Sequence, residues 1–478
     1  MACLRRLSQL PPFYYLLQHF PSHHEHLLLS LLRFQLGRHP SLQIHSHLVT
    51  SGIHRYRMGR TGILLWNTLI YRYSLGLFPL EALHLYQHLL FFCSPDLPTD
   101  SFTFSFLIKA CATSSLLASG TQFHALVVKN GFAFDVYVHT SLVNMYSTCG
   151  ALLDAQKAFD EMSQRNTVSW NAIITGFAKW GEMKMARSLF EQMPHRNVIS
   201  WTGLIDGYTR SREPEEALGL FRRMADEGIS PSEITVLAIV PAISNLGALD
   251  IGGTLHAYCL KGGLDLSDVR VENSLIDMYA KCGMMEKSLQ VFAEMGKRSN
   301  LVSWNSIISG FAIHGMANDA VEFFSKMCLE NVKPNWVTFL SLLNACSHGG
   351  LIDEGMRIFT GMVKEHNIEP ETKHYSCLID MLGRVGKLHE AERIICRMPA
   401  EVNAVVWRTL LGCCSKHGEV EIGERVMKRI MDLERGCGGD YVVLSNMLTE
   451  AGRYGDAEIV RKLLNERNAL KVPGLSLI

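Results

Sequence analysis

A four-residue apolar stripe at offsets of 0, 3, 4 and 7 returns seven times between Ala155 and Met398, and it constrains this chain more than any other feature. The first copies are Ala155, Ala158, Phe159, Met162; then Ala186, Leu189, Phe190, Met193; then Ala217, Leu220, Phe221, Met224. The others start at Ser288, Ala320, Gly355 and Ala391 and close on Met295, Met327, Met362 and Met398. Such offsets draw one line down one face of an α-helix. Ahead of the copy at Ala320, a second helical pattern runs through Val302, Ile307, Ile308 and Phe311 and is closed by Gly315, since glycine takes the left-handed conformation at a helix end without steric cost. Pro334 then forbids continuation. A hairpin of two such short helices cannot bury its stripe alone and needs a copy on either side. The spacing predicts an all-α fold of tandem helix-turn-helix units.

Tryptophan supplies an independent ruler. Trp66, Trp170, Trp201, Trp304 and Trp407 are separated by 104, 31, 103 and 103 residues, so units of different length alternate within a period near 103. Cutting before each first helix gives units starting at Ile63, Ser101, Val136, Thr167, Val198, Glu233, Val269, Leu301, Trp336 and Thr372, with lengths of 38, 35, 31, 31, 35, 36, 32, 35, 36 and 32 residues.

These units resemble the pentatricopeptide repeat (PPR) family of plant organelles in its P, L and S triplet form. The resemblance is carried by VSWNSIISGFAIHG (Val302 to Gly315), NSLIDMYAKCG (Asn273 to Gly283), LLNACSHGGLIDEG (Leu342 to Gly355) and HYSCLIDMLGRVGKLHEAE (His374 to Glu392), and it covers roughly Leu42 to Ile478. Tetratricopeptide repeats are also helical hairpins, of about 34 residues, but they do not alternate 35, 36 and 31 or 32. The resemblance implies a right-handed α-solenoid with residues 42–62 as a partial repeat, 63–403 as ten repeats and 404–478 as a terminal E domain of two further hairpins.

Apolar residues make up 47% and charged residues 19%, a folded and soluble composition. The 13 cysteines include no C-x-x-C pair, and several sit where a helical repeat needs a small residue, as Cys149 and Cys282 do before Gly150 and Gly283. They read as reduced packing residues. No apolar run approaches the roughly 18 residues of a membrane span. The net charge of zero hides an asymmetry: the first 62 residues carry seven Arg, no Lys and Glu25 as their one acid, leaving 39 basic and 45 acidic groups in the rest. An Arg-bearing, acid-poor, leucine-rich start is what an organellar presequence looks like, here over 1–41, with a disordered N-terminus as the alternative. Arg without a marked Ser/Thr excess tilts the expectation to mitochondria rather than chloroplasts. His19, His23, His24, His26 and His39 crowd this segment, yet no Cys or carboxylate set with ligand spacing accompanies them, and no metal site is expected.

In the family, first helices line the concave surface and each hairpin meets about one base of single-stranded RNA, read by two or three side chains. The family's reading positions are the fifth residue of a repeat and its last. Carried over, the pairs are Asn67 with Asp100, Ser105 with Asp135, Thr140 with Asn166, Asn171 with Asn197, and Thr202 with Ser232. They continue with Leu237 and Asp268, Asn273 and Asn300, Asn305 and Asn335, Leu340 and Glu371, and Ser376 and Asn403. Eight of the ten fifth positions are Asn, Ser or Thr amid apolar neighbours, a polar file inside the first helix. The alternative is that small polar residues favour a helix start. A last-position Asp only accepts and suits the ring N–H of U or G; a last-position Asn can donate and suits the bare ring nitrogen of A or C. A fifth-position hydroxyl leaves room for a purine, and Asn goes with a pyrimidine in the family. Leu237 and Leu340 have no polar reach. Read 5′ to 3′ from the N-terminal repeat, the expected bases are U, G, A, pyrimidine, A, any, pyrimidine, pyrimidine, any, A. Because the body has more acids than bases, phosphate contacts must come from local Lys and Arg that the sequence does not place.

After Asn403 the chain resembles the E region of plant RNA-editing PPR proteins, and KVPGLSLI (Lys471 to Ile478) sits where such proteins either end or run on into a cytidine-deaminase-like DYW domain. A zinc deaminase needs H-x-E and C-x-x-C. His23-His24-Glu25 supplies the first by accident, and nothing in the sequence supplies the second. The expectation is therefore no catalytic residue, no cofactor and no small-molecule substrate. The implied role is a site-recognition factor for organellar C-to-U editing. Its implied partners are single-stranded organellar RNA, a DYW-type deaminase supplied in trans and docked on 404–478, and multiple organellar RNA-editing factor proteins. Two alternatives stay open: an RNA-binding factor for transcript processing, stability or splicing, and a protein-interaction scaffold.

Overall fold

The computed structural model describes residues 60–76, 78–93, 99–264, 268–398, 403–434 and 438–466. The expected presequence, the N-terminal histidines, most of the partial repeat and Lys471 to Ile478 lie outside the described residues. Among the described residues there are 24 α-helices and no strand. They divide into two compact units, Met1–Ile239 and Val240–Ile478.

The first unit contains the hairpins α1 (Arg60–Leu75) and α2 (Leu80–Cys93), α3 (Ser101–Thr113) and α4 (Leu117–Lys129), and α5 (Val136–Thr148) and α6 (Leu152–Asp160). It goes on with α7 (Thr167–Lys179) and α8 (Met183–Gln192), then α9 (Val198–Arg210) and α10 (Pro214–Asp226). The division falls inside α11 (Glu233–Leu246). The second unit holds α12 (Leu249–Gly262), α13 (Val269–Lys281) and α14 (Met285–Met295), α15 (Leu301–Ile313) and α16 (Ala317–Leu329), α17 (Trp336–Gly349) and α18 (Ile352–Lys364), and α19 (Thr372–Arg384) and α20 (Leu388–Cys396). Two more hairpins follow, α21 (Ala404–His417) with α22 (Val420–Leu433) and α23 (Gly438–Glu450) with α24 (Tyr454–Glu466). Within each unit a first helix packs on its own second helix and on the first helices before and after it, the contact pattern of an all-α helical-repeat solenoid. The first hairpin starts three residues ahead of the Ile63 cut, at Arg60.

The apolar stripe is what joins neighbours. Phe159 on α6 meets Trp170 on α7 edge to face with centroids 4.8 Å apart; Phe190 meets Trp201 at 4.6 Å and Phe292 meets Trp304 at 4.8 Å in the same geometry. First helices approach through a glycine: a Cβ at Gly176 would lie 2.4 Å from the Ser147 Cβ, and one at Gly310 would lie 2.9 Å from the Ala280 Cβ. Gly315 ends α15 at φ +68°, the left-handed value its position demands. Val302, expected on the buried stripe of α15, is instead 55% exposed, whereas Ile307, Ile308 and Phe311 are buried. It is the second residue of the helix, where the side chain leaves the inter-hairpin seam. No described cysteine forms a disulfide, and burial pushes the Cys111, Cys377 and Cys414 thiols up to about 12 and Cys346 to about 11, so these thiols stay protonated. Among the described residues no helix is long and apolar enough to cross a membrane.

Two histidines make the first unit sensitive to acid. Burial lowers the pKa of His124, whose Nδ1 lies 2.9 Å from the Tyr146 hydroxyl, and of His139. The folded state therefore keeps both neutral where the unfolded chain, with ordinary values near 6.5, takes up protons. Their contribution is complete above that value and is lost as the pH falls below it. Thermal melts at pH 7.5 and 5.5 check this: the melting temperature drops on acidification, and it drops less in the double variant His124→Gln, His139→Gln.

Candidate nucleic-acid interface

Nearly every first helix opens on a residue that is both the last of one repeat and the cap of the next. Asp100 accepts from Thr103 N at 2.8 Å, Asn166 from Ser169 N at 2.8 Å, Asn197 from Ser200 N at 3.0 Å and Asn335 from Thr338 N at 3.1 Å. Asp135, Asp268, Asn300 and Asn403 cap their helices in the same way. Each capping oxygen is thereby committed, and in the asparagines the amide N–H groups are what is left over. The short polar residues favoured at helix starts are thus the last-position residues, while the fifth ones stand one turn inside the helix. A capping-box spacing of Asn or Asp three residues before Ser or Thr was legible in the sequence and marks the caps at Asp100, Asn166, Asn197, Asn300 and Asn335.

The fifth residues are 6–9% exposed where they are Asn67, Ser105, Asn171, Thr202, Asn273 or Asn305. Four are hydrogen-bonded to their partner: Asn67 Nδ2 donates to Asp100 Oδ1 at 2.9 Å, Asn171 to Asn197 at 3.4 Å, Asn273 to Asn300 at 3.5 Å and Asn305 to Asn335 at 3.2 Å. Thr202 and Ser232 are joined through the Thr235 hydroxyl, at 2.7 and 3.1 Å. The remaining pairs are not joined. Thr140 and Ser376 turn their hydroxyls onto their own helices, at Val136 O and Thr372 O, and the Ser105 hydroxyl is buried with no hydrogen-bond partner. Leu237 offers no polar atom and Leu340 none beside Glu371, while Asp268 is held by Arg270, whose hydrogen bonds lower its pKa. Asn403 caps α21 through Val406 N at 3.3 Å.

Sequence reasoning missed the walls of these sites. In six of the first helices the second residue is apolar and projects outward: Phe102, Tyr137, Val168, Ile199, Ile234 and Val302 are all more than half exposed, whereas α13 and α19 carry Arg270 and Lys373 there. At two places such side chains flank a slot. Ile199 and Ile234 stand on either side of a cavity of about 480 Å³ that is also lined by Thr202 and Ser232, a fifth and last pair. Leu64 and Phe102 flank another of about 430 Å³, lined by Asn67 and Asp100. The regular second-position apolar residue in a helix whose core face lies elsewhere was the available signal. Each slot can take a flat group between two apolar side chains and meet its polar edge with the recessed pair.

Basic residues close the first helices. Lys179 and Arg210 line a cavity of about 220 Å³ beside Asn144, Ser147 and Thr148. Arg210 is paired with Asp206 at 2.8 Å, Lys281 with Asp277 at 2.6 Å and Arg384 with Asp380 at 2.8 Å, whereas Thr175 stands where Lys179 would find such an acid. Polyanion contact must therefore compete with these exposed pairs, which are individually weak.

The fold and these sites define a tandem helical-hairpin protein in which a recessed polar pair and an exposed apolar side chain recur along successive first helices. Family models agree. The PPR repeat model matches residues 137–167, 168–198, 273–299, 337–366 and 373–401, a second PPR repeat family model matches 196–243 and 299–348, and the E motif matches 417–478. The chain is 48% identical over 448 residues to a mitochondrial pentatricopeptide repeat-containing protein of Arabidopsis thaliana, covering 91% of this chain and 89% of the relative. It is 38% identical over 427 residues to a chloroplastic/mitochondrial one from the same plant, covering 87% of this chain and 61% of that relative. The chain belongs to the pentatricopeptide repeat family, and its E motif is that of the PLS-type E class. Among solved structures it is similar to maize PPR10 in complex with an 18-nt psaJ RNA element, at 16% identity and a TM-score of 0.46 over 93% of this chain and 74% of that one.

Proposed function

We propose that this protein binds single-stranded RNA in a plant organelle and serves as the site-recognition factor for C-to-U editing, with the deaminase supplied in trans. The observation that carries the binding is the slot that opens at Asn67 and Asp100 and again at Thr202 and Ser232, an apolar side chain on either side and a fifth and last pair joined by hydrogen bonds at its floor. A base offers two flat faces and one edge of donors and acceptors, which is what such a slot complements. The pairs lie at one register of successive first helices, so the reading proceeds one hairpin at a time. The base series is U, G, A, pyrimidine, A, any, pyrimidine, pyrimidine, any, A. Where both members are Asn with their oxygens engaged, only N–H donors face the ligand, which narrows the pyrimidine to cytidine.

The editing role draws on the E motif at 417–478, a region that a DYW-type deaminase and multiple organellar RNA-editing factor proteins would dock on. The relatives bear mitochondrial and chloroplastic names; the Arg-bearing N-terminal segment favours the mitochondrion. Sequencing organellar transcripts from a knockout plant tests the reading. One or a few editing sites are lost, each downstream of a match to the base series. Altered transcript ends or unspliced introns with editing intact would replace it with a processing role, and purified protein without affinity for RNA would leave only a protein scaffold.

A further inference from the structure

We propose that the hydroxyl at the third residue of a repeat tunes the base preference of the repeat before it, by fixing the amide of that repeat's fifth-position asparagine; this rests on the RNA-binding reading above. Thr103 Oγ1 donates to Asn67 Oδ1, Ser303 Oγ to Asn273 Oδ1 and Thr338 Oγ1 to Asn305 Oδ1, each at 2.7 Å between buried groups. The same hydroxyls accept from the backbone of the residue that caps their own helix, Ser303 from Asn300 N at 3.0 Å and Thr338 from Asn335 N at 3.1 Å. The competing acceptor is the cap oxygen Oδ1, at 2.8 Å from Thr103, 3.3 Å from Ser303 and 3.1 Å from Thr338, and in each case the contact across to the neighbouring repeat is the shorter. The hydroxyl acts through the asparagine and marks a positioning residue.

An amide whose oxygen is tied has only N–H groups to offer. Asn300 Oδ1 is itself taken by Val302 N at 2.9 Å and Ser303 N at 3.2 Å, so the Asn273 and Asn300 pair presents donors alone. Donors match the bare N3 and the O2 of cytosine and oppose the N3–H of uracil. Once the hydroxyl is gone, the Asn273 oxygen is released and can turn to accept from uracil. The sequence supplies a hydroxyl after every fifth-position asparagine, though Ser169 and Thr235 also follow the non-amide residues Thr140 and Thr202. The asparagines 67, 171, 273 and 305 are each followed by Thr103, Ser200, Ser303 and Thr338, while Val138, Val271 and Val406 follow repeats whose fifth residues, Ser105, Leu237 and Ser376, have no amide.

The fourth repeat is an internal control. There the Ser200 hydroxyl donates to Asn197 O at 2.8 Å instead, and Asn171 Oδ1 is buried with no hydrogen-bond partner. Ser200→Ala and Ser303→Ala thus remove equivalent cap contacts, from Asn197 N and Asn300 N, both at 3.0 Å, but only the second removes a contact to a reading side chain.

The test is fluorescence anisotropy of the full chain on single-stranded RNAs carrying the proposed series with C or U opposite one repeat. In Ser303→Ala the C-to-U affinity ratio opposite the seventh repeat falls about fivefold, the worth of one net hydrogen bond, and Ser303→Thr keeps it. Ser200→Ala leaves the ratio opposite the fourth repeat unchanged. Thr338→Val, read opposite the eighth repeat, gives the same fall and stands in should Ser303→Ala not fold. Unchanged ratios in both variants overturn the proposal, as does an equal fall in Ser200→Ala, which would make the effect one of helix capping. A wild-type chain that binds none of these RNAs overturns the underlying reading instead, a result distinct from binding without the ratio change.

Discussion

Asn166→Asp moves the preferred base opposite the third repeat from adenine to guanine and leaves the fold intact. Asn166 caps α7 through an oxygen that accepts from Ser169 N at 2.8 Å, and Asp fills a helix cap as well as Asn does, so the substitution costs little stability. What changes is the outward group. The Asn166 amide can donate to the bare N1 of adenine, whereas a carboxylate can only accept, and guanine carries a proton there. Thr140, the fifth residue of that repeat, spends its hydroxyl proton on Val136 O at 2.7 Å and stays small enough to admit either purine. A matched pair of hydrogen bonds at a base edge is worth about 1–3 kcal/mol of discrimination, so the preference should reverse by roughly tenfold or more on each side. Titrations with RNAs differing only at that base check it, and an unchanged preference removes Asn166 from the reading set.

The largest stability effect is expected at Trp201→Ala. Trp201 is fully buried on α9, edge to face with Phe190 at 4.6 Å, with the Arg223 guanidinium 5.4 Å from its ring centre. Truncation leaves a cavity at the seam between two hairpins and costs about 3–5 kcal/mol. Because each hairpin is stabilised by its neighbours, the loss weakens the coupling between α7–α8 and α9–α10, and the urea transition broadens as well as shifting. Trp201→Phe separates volume from hydrogen bonding. The indole Nε1 is buried with no hydrogen-bond partner, so Phe forfeits only part of the ring contact and loses on the order of 1–2 kcal/mol. Equal losses in the two variants would show that the N–H, not the ring, sets the cost.

Much of the fold was readable because its determinants are local and repeated. The stripe through Ala186, Leu189, Phe190 and Met193 is buried along its whole length. A heptad-like offset needs no knowledge of the partner, since the partner is another copy of the same unit. Val302 shows the limit. Its spacing fits the stripe of α15, yet it is exposed, because helical period alone cannot separate the seam of a hairpin from the face one residue round. The exposed second-position wall escaped notice for the same reason.

The candidate site divides along similar lines. Which residues stand at the fifth and last positions follows from counting, and the sequence alone sets their donor and acceptor character. How those groups are used depends on the next repeat. Asn67 and Asn171 are the same residue at the same register, but Thr103 ties the oxygen of the first at 2.7 Å and Ser200 leaves that of the second without a partner. The sequence by itself determined an all-helical array with a fixed beat of polar residues, because period and chain stereochemistry act within one unit. Only the tertiary structure decided which amide oxygens are engaged, which apolar side chains face outward and where the cavities open, because hydrogen bonds and burial are settled between units that the chain brings side by side.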